Sequence, residues 1–325
     1  MILDIVYLLV GLVLILVGAN MLTDGASAIA KRWGVSDLVI GLTVVAFGTS
    51  APELVISIMA SINGSAGLAI GNVVGSNIFN VCAIVGVTAL VAPVTMGPGT
   101  ISKDIPLVVL SSVALLAIGN GPLLDGGSEA MVTRVDGILL LLFFAIFMRY
   151  TFATAKNTDD DGAPQEETSA KPPMSMLKGV LWVVIGLAGL VYGGDRFVAG
   201  ASAIASAMGV SDAVIGLTIV AAGTSLPELA TSVAAALKGK PGIALGNVIG
   251  SNIFNIFLVL GLAATIRPLP FGTIGNFDLL TLTGASVLFW IFARFYKSRT
   301  IARPEGAALV LSYVAYIGVL VAKAV

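Results

Sequence analysis

Residues 38–80 recur at 213–255 with a fixed offset of 175 and no gap, and 27 of those 43 positions are identical. The likeness continues upstream. Gly25-Ala26-Ser27-Ala28-Ile29-Ala30 returns as Gly200-Ala201-Ser202-Ala203-Ile204-Ala205, and Gly34-Val35-Ser36-Asp37 as Gly209-Val210-Ser211-Asp212. Self-similarity of this extent means that one structural unit is used twice, so any fold for the chain must divide into two related parts.

The unit is built from apolar segments. Crossing a bilayer takes about 20 mostly apolar residues, and ten such stretches lie near 3–29, 37–62, 68–91, 104–119, 135–152, 178–206, 212–237, 242–265, 276–294 and 305–322. Only 11% of the residues are charged against 57% hydrophobic, with mean hydropathy +1.03. A soluble domain carries about 25% charge, so this chain cannot coat itself for water. The hydrophilic run from Lys156 to Pro173 holds Asp159, Asp160, Asp161, Glu166 and Glu167 and reads as a flexible linker between five spans and five spans. It lacks the spaced glycine and terminal glutamate of a calcium-binding loop. The expected fold is an all-α polytopic membrane protein, with ten transmembrane helices as two inverted five-helix repeats. Its parts are residues 1–152, a cytoplasmic linker at 153–177, and 178–325.

Inversion follows from the odd number of spans per unit, and the charges agree with it. Lys31 and Arg32 correspond to Ser206 and Ala207, while Lys238 and Lys240 correspond to Asn63 and Ser65. Each copy lacks cations at the loop expected to face outward. With the N-terminus outside, thirteen basic residues (Lys31, Arg32, Lys103, Arg149, Lys156, Lys171, Lys178, Lys238, Lys240, Arg294, Lys297, Arg299 and Arg303) fall on the cytoplasmic side. Three, Arg134, Arg267 and Lys323, fall outside, so both termini are expected outside. No basic leader or convincing cleavage site precedes the first span, so no removable signal peptide is expected.

Several chemistries are excluded. The net charge of -1 offers no basic face for nucleic acid. Cys82 is the single cysteine, and there is no histidine, which removes disulfides, His-ligated zinc and histidine-based nucleophile pairs.

Each copy carries two motifs on consecutive spans. Gly48-Thr49-Ser50-Ala51-Pro52-Glu53 repeats as Gly223-Thr224-Ser225-Leu226-Pro227-Glu228, and Gly71-Asn72-Val73-Val74-Gly75-Ser76-Asn77-Ile78-Phe79-Asn80 as Gly246-Asn247-Val248-Ile249-Gly250-Ser251-Asn252-Ile253-Phe254-Asn255. Glu53 and Glu228 sit near the middle of apolar spans, where an acid costs about 2.5–3.5 kcal/mol to insert. Arg196 is the only basic residue inside a span, so a bound metal ion is the natural compensating partner. Protonated glutamates tied into helix packing are the alternative. Pro52 and Pro227 should break or kink their helices and free carbonyls around Ala46–Gly48 and Ala221–Gly223. Thr49 and Glu53 share a helix face, as do Ser76 and Asn80. The set holds oxygen ligands only, which suits calcium or sodium and argues against zinc or copper.

Other motif residues have plainer readings. Gly71, Gly75, Gly246 and Gly250 fit close helix packing. Asn72, Asn77, Asn247 and Asn252 serve equally as interhelical glue or as ligands. Asp195 and Arg196 break the symmetry, because their mates are Asn20 and Met21, and read as a local ion pair or a snorkelling arginine.

At these motifs the sequence resembles the cation/calcium antiporter superfamily, in particular its sodium/calcium exchanger branch. The resemblance covers both halves. It implies ion sites between the second, third, seventh and eighth spans, with Glu53 and Glu228 as central carboxylates. Thr49, Ser50, Thr224 and Ser225 stand beside them, Ser76, Ser251 and Asn80 come from the second motif, and the carbonyls of Ala46 and Ala221 complete the set. Asn255 stands where several relatives, and the potassium-dependent branch, carry aspartate, leaving two formal negative charges rather than three. Val73 and Val248 stand where the proton/calcium branch has an acid after Gly-Asn.

The expected activity is secondary antiport of sodium against calcium at a midplane site exposed alternately to each side, with no resident cofactor and the chain acting as a monomer in the inner or plasma membrane. Crossing with an empty site would leave carboxylates uncompensated in low dielectric, which couples the fluxes. Exchange of three sodium ions for one calcium would move one charge, worth about 2.3 kcal/mol per 100 mV. Glycine-rich spans one and six (Gly11, Gly18, Gly186, Gly189, Gly193, Gly194) are the candidates for a sliding element. A proton/calcium or potassium-dependent antiporter is the alternative. A channel suits kinked inverted repeats less well, and an intramembrane hydrolase using Ser50 or Ser225 has no histidine base.

Overall fold

The computed structural model describes residues 2–126, 129–155, 174–209, 219, 221–295 and 299–324. The linker expected from Lys156 to Pro173 and the start of the seventh expected span lie outside these residues. Everything described is helical apart from short connections and four two-residue strands.

Helix α1 spans Ile2–Trp33, α2 Asp37–Thr49, α3 Ala51–Ile62, α4 Ala66–Val91, α5 Thr100–Gly119 and α6 Arg134–Thr154. Beyond the linker, α7 spans Met176–Ala207, α8 Leu226–Leu237, α9 Pro241–Ile266, α10 Asn276–Phe295 and α11 Arg303–Ala324. Eight of these are long and apolar enough to cross a membrane. The pair α2 and α3 would make a ninth, bent by 48°, and α8 is a shorter apolar helix. Helix α5 begins at Thr100 rather than near 104, because a π-helical segment, Thr100–Asp104, carries the backbone hydrogen bonding through Lys103 and Asp104, where hydropathy alone breaks off.

Helices α1 and α7 pack backbone against backbone. A Cβ at Gly11 would stand 2.6 Å from the carbonyl oxygen of Gly193, one at Gly18 2.7 Å from that of Gly186, and one at Gly25 2.7 Å from that of Gly179. Partner numbers fall as their counterparts rise, so the two helices run antiparallel. Small residues permit this approach, and dispersion across it replaces the hydrophobic drive that lipid does not supply.

Helices α4 and α9 occupy the centre. Their apolar windows are 83% and 78% buried, against 22% and 28% for α1 and α7. One continuous core joins the two halves through Ile70, Ile78 and Ile84 on α4 and Ile249, Ile253 and Ile256 on α9. Strand β1 (Val94–Thr95) pairs with β4 (Thr300–Ile301), and β2 (Met131–Val132) with β3 (Leu269–Pro270), both antiparallel. Each pair links a loop of one half to a loop of the other.

Candidate functional site

The two Pro-Glu steps do not kink continuous helices; they begin new ones. Helix α2 ends at Thr49, Ser50 leaves helical geometry at φ -83° and ψ 7°, and α3 starts at Ala51 with Pro52 in its first turn. In the second half Ser225, at φ -94° and ψ 8°, precedes α8 with Pro227 at the same place. Proline is tolerated there because its missing N–H would have no intrahelical partner. Glu53 and Glu228 consequently lie in the first turns of α3 and α8, where free amide groups and the helix dipole favour a negative charge. Both are fully buried.

The carboxylates are bridged crosswise between the halves. Ser50 Oγ donates to Glu228 Oε1 at 3.0 Å, and Ser225 Oγ donates to Glu53 Oε1 at 3.1 Å. Ser76 Oγ reaches Glu53 Oε1 at 3.4 Å. Ser50 and Ser225 therefore each serve the glutamate of the opposite copy, an arrangement that spacing within one helix does not reveal. Among the described residues, Glu53 Oε2, Glu228 Oε2, Asn80 Oδ1, Asn255 Oδ1, Thr224 Oγ1 and Ser251 Oγ are buried and make no hydrogen bond. Buried polar atoms without partners are few in a native protein. A group of them around two carboxylates offers the all-oxygen chemistry that hard cations take.

The backbone carbonyls differ between halves. Ala46 O accepts the Ser50 N–H at 3.0 Å, so the proline does not strip that carbonyl, and a cation there would use its remaining lone pair. Ser225 N–H bonds Ala222 O at 3.2 Å. Asn80 and Asn255 fall in matching π-helical segments, Phe79–Ile84 and Phe254–Leu260. Such segments concentrate at functional sites.

The remaining asparagines divide by role. Asn72 Nδ2 donates to Glu53 O at 3.2 Å and Ser57 Oγ at 2.9 Å, and Asn247 Nδ2 to Glu228 O at 3.2 Å and Ser232 Oγ at 3.0 Å. These two hold the glutamates' backbone. Asn77 Nδ2 donates to Asn252 O at 3.3 Å and its Oδ1 accepts from Asn255 Nδ2 at 3.1 Å, joining α4 to α9. Ser57 and Ser232 were not singled out in the sequence; their signal was a serine one turn after each glutamate. Arg196 lies over the rings of Tyr7 and Tyr192, 5.4 and 4.8 Å from their centroids.

The glycine expectation is met at Gly246 and Gly250. A Cβ at Gly246 would stand 2.5 Å from Leu38 O, and one at Gly250 2.6 Å from Ala46 Cβ. For Gly71 and Gly75 the segment equivalent to α2, residues 212–220, lies largely outside the described residues.

An all-helical fold with lipid-facing helices around two buried carboxylates and unpaired oxygens is that of a membrane transport protein for cations. The chain belongs to the sodium/calcium exchanger protein family, whose pattern matches residues 3–153 and 178–322, and so to the cation/calcium antiporter superfamily. It is 35% identical over 342 residues to the sodium/calcium exchanger MaX1 of Methanosarcina acetivorans, covering 96% of this chain and 97% of that one. It is 38% identical over 265 residues to the inner membrane protein YrbG of Escherichia coli, covering 80% and 79%. A solved structure of the sodium-calcium exchanger NCX_Mj superposes with TM-score 0.81 at 35% identity, covering 98% of both chains. MaX1 and NCX_Mj are exchangers by name.

Proposed function

We propose that the protein exchanges sodium for calcium across the inner or plasma membrane, by alternating access at a midplane site of oxygen ligands. The observation that carries this reading is the crossed pair Ser50–Glu228 and Ser225–Glu53, with buried, unpaired carboxylate oxygens beside it. The ligand set is Glu53, Glu228, Thr49, Ser50, Thr224, Ser225, Ser76, Ser251, Asn80 and Asn255, with the carbonyls of Ala46 and Ala221. Sodium and calcium are cargo, and the protein is neither an enzyme nor dependent on a resident cofactor. Calcium matches two carboxylates in charge. Sodium occupies the same oxygens, so the two ions compete, and an empty site is held back by its uncompensated charge.

The architecture in this reading is ten spans in two inverted five-helix units, 1–152 and 178–325, joined by a cytoplasmic linker at 153–177. Both termini are outside, and the protein acts as a monomer in the lipid bilayer. Support comes from α1 and α7, which are equivalent in sequence yet antiparallel. The strand pairs β1–β4 and β2–β3 add to it, since each joins loops that ten spans assign to one face.

Calcium flux into proteoliposomes under an imposed sodium, potassium or proton gradient tests the reading. Uptake driven by sodium alone is expected. Uptake driven by a proton gradient with sodium absent, or uptake that needs potassium, overturns the coupling proposed here.

A further inference from the structure

Helices α5 and α6 follow one another in the chain but pack elsewhere, α5 on α10 and α6 on the second half of α9. The gap between them is a groove of about 610 Å³. Its walls are Leu110 and Ala114 on α5 and Phe143 and Phe147 on α6, with Phe257 of α9 as the floor. Leu110 and Phe143 are 60% and 49% exposed, so the groove opens sideways, toward lipid. Its one charged lining residue is Lys103, where α5 begins. Among the described residues Lys103 makes no ion pair. From Lys103 to Ala114 is eleven residues, about 16 Å of helix, which matches half of a hydrocarbon core about 30 Å thick.

The other half makes the corresponding gap and closes its mouth. Asp104 and Ser112 correspond to Asp278 and Ser286 at an offset of 174, and Arg134, Asp136 and Gly137 to Arg303, Glu305 and Gly306 at 169. Local bonds agree with this alignment, since Asp136 and Glu305 each accept the N–H of the residue three positions earlier. Lys103 then corresponds to Phe277, Ala114 to Leu288 and Phe147 to Tyr316. Phe277 stacks on Tyr316 with ring centroids 5.7 Å apart, and Tyr316 OH donates to Asp278 Oδ1 at 2.9 Å. With lysine in place of the first ring and no hydroxyl on Phe147, the first half lacks both contacts.

We propose that the groove between α5 and α6 is a binding site for an anionic phospholipid of the cytoplasmic leaflet, with one acyl chain lying on Phe257 and the phosphate headgroup meeting Lys103. The proposal needs only a chain that spans a bilayer and stands apart from the choice of exchanged ions. An unfilled apolar gap forfeits dispersion contacts, and a hydrocarbon chain from the surrounding lipid restores them. The groove's depth suits a chain that enters at one interface and ends near the midplane. Lys103 and Arg149, near the end of α6, both belong to the basic set that the charge distribution assigns to the cytoplasm. Basic pockets between spans on that side attract anionic headgroups, and a lysine stem lies along apolar surface while its ammonium stays at the interface.

The test is nondenaturing mass spectrometry of the purified protein in detergent, with phosphatidylglycerol or phosphatidylcholine of identical chains added. Wild type should retain phosphatidylglycerol about fivefold more tightly, as one lysine beside the headgroup supplies. Lys103→Gln should abolish that preference, whereas Lys178→Gln, on the same membrane face but outside the groove, should keep it. Leu110→Trp fills the groove and should weaken retention of both lipids about tenfold, the effect of losing about two buried methylene contacts. If that variant folds poorly, Ala114→Leu, which copies its counterpart Leu288, should act in the same direction. Equal retention of the two lipids by wild type overturns the proposal, as does an equal loss of preference in Lys178→Gln and Lys103→Gln. Retention unchanged by filling the groove, or a second copy of the chain bound in place of lipid, also overturns it.

Discussion

The antiparallel pair α1 and α7 and the central helix α9 against α2 are packed by the same device, glycine admitting a neighbouring backbone, but toward different ends. In the pair, glycines recur every seven residues at 11, 18 and 25 and at 179, 186, 193 and 200, and much of the remaining surface is lipid-facing Leu, Val and Ile. In the centre the glycines alternate with Asn and Ser, whose bonds tie Glu53 and Glu228 to both halves. The pair meets the centre at its weakest points: Leu187 of α7 packs at Gly48 and Val198 at Gly223, beside the two helix breaks. Directional hydrogen bonds make the centre specific, whereas the pair meets it through apolar contacts that carry no such direction.

The largest effect should come from the centre. Glu53→Gln or Glu228→Gln removes one of the two central carboxylates, and sodium-dependent calcium flux is expected to fall at least about a hundredfold, as a loss of about 3 kcal/mol or more of ion stabilisation requires. Circular dichroism should show unchanged helix content, and survival of flux in both variants would refute the site. Next is the pair. Gly18→Leu inserts a side chain where even a Cβ meets Gly186 O at 2.7 Å, and overpacking of this kind costs about 1–3 kcal/mol. A lower melting temperature is expected, together with slower transport. Calcium binding measured by isothermal titration should stay close to wild type, because the ligands are elsewhere; loss of binding would mean that pair and centre are not separable.

A smaller change is expected from the glutamates' supports. Ser57→Ala and Ser232→Ala each delete a hydrogen bond to Asn72 or Asn247, worth about 1 kcal/mol, so calcium affinity should drop by about fivefold. The smallest concerns the ion pairs Lys238–Asp24 at 2.7 Å and Lys240–Asp37 at 3.1 Å, which tie the α8–α9 turn to α1 and the start of α2. Both are partly exposed, and such pairs contribute about 0–1 kcal/mol. Replacing Lys238 and Lys240 by alanine should alter transport rate less than about fivefold, and the difference should vanish in high salt. A larger effect that survives salt would assign the ion pairs a part in the machinery.

Much of this was legible in the sequence. The repeat at offset 175, the apolar stretches and the two membrane-buried glutamates need only periodicity and the cost of charge in lipid. The structure corrected the reading where atoms from separate elements decide the outcome. Of the break or kink expected at Pro52 and Pro227, the structure shows the break, each proline lying in the first turn of a new helix. Ala46 keeps its hydrogen bond. Asn72 and Asn247, undecided between glue and ligand, hold the glutamates' backbone.

Local chemistry is written in the chain, because a residue's charge, a proline's missing N–H and a seven-residue glycine spacing act wherever they stand. The crossing of Ser50 to Glu228 and Ser225 to Glu53 is not. It depends on two segments separated by more than 170 residues meeting at one point, which only the packed molecule brings about.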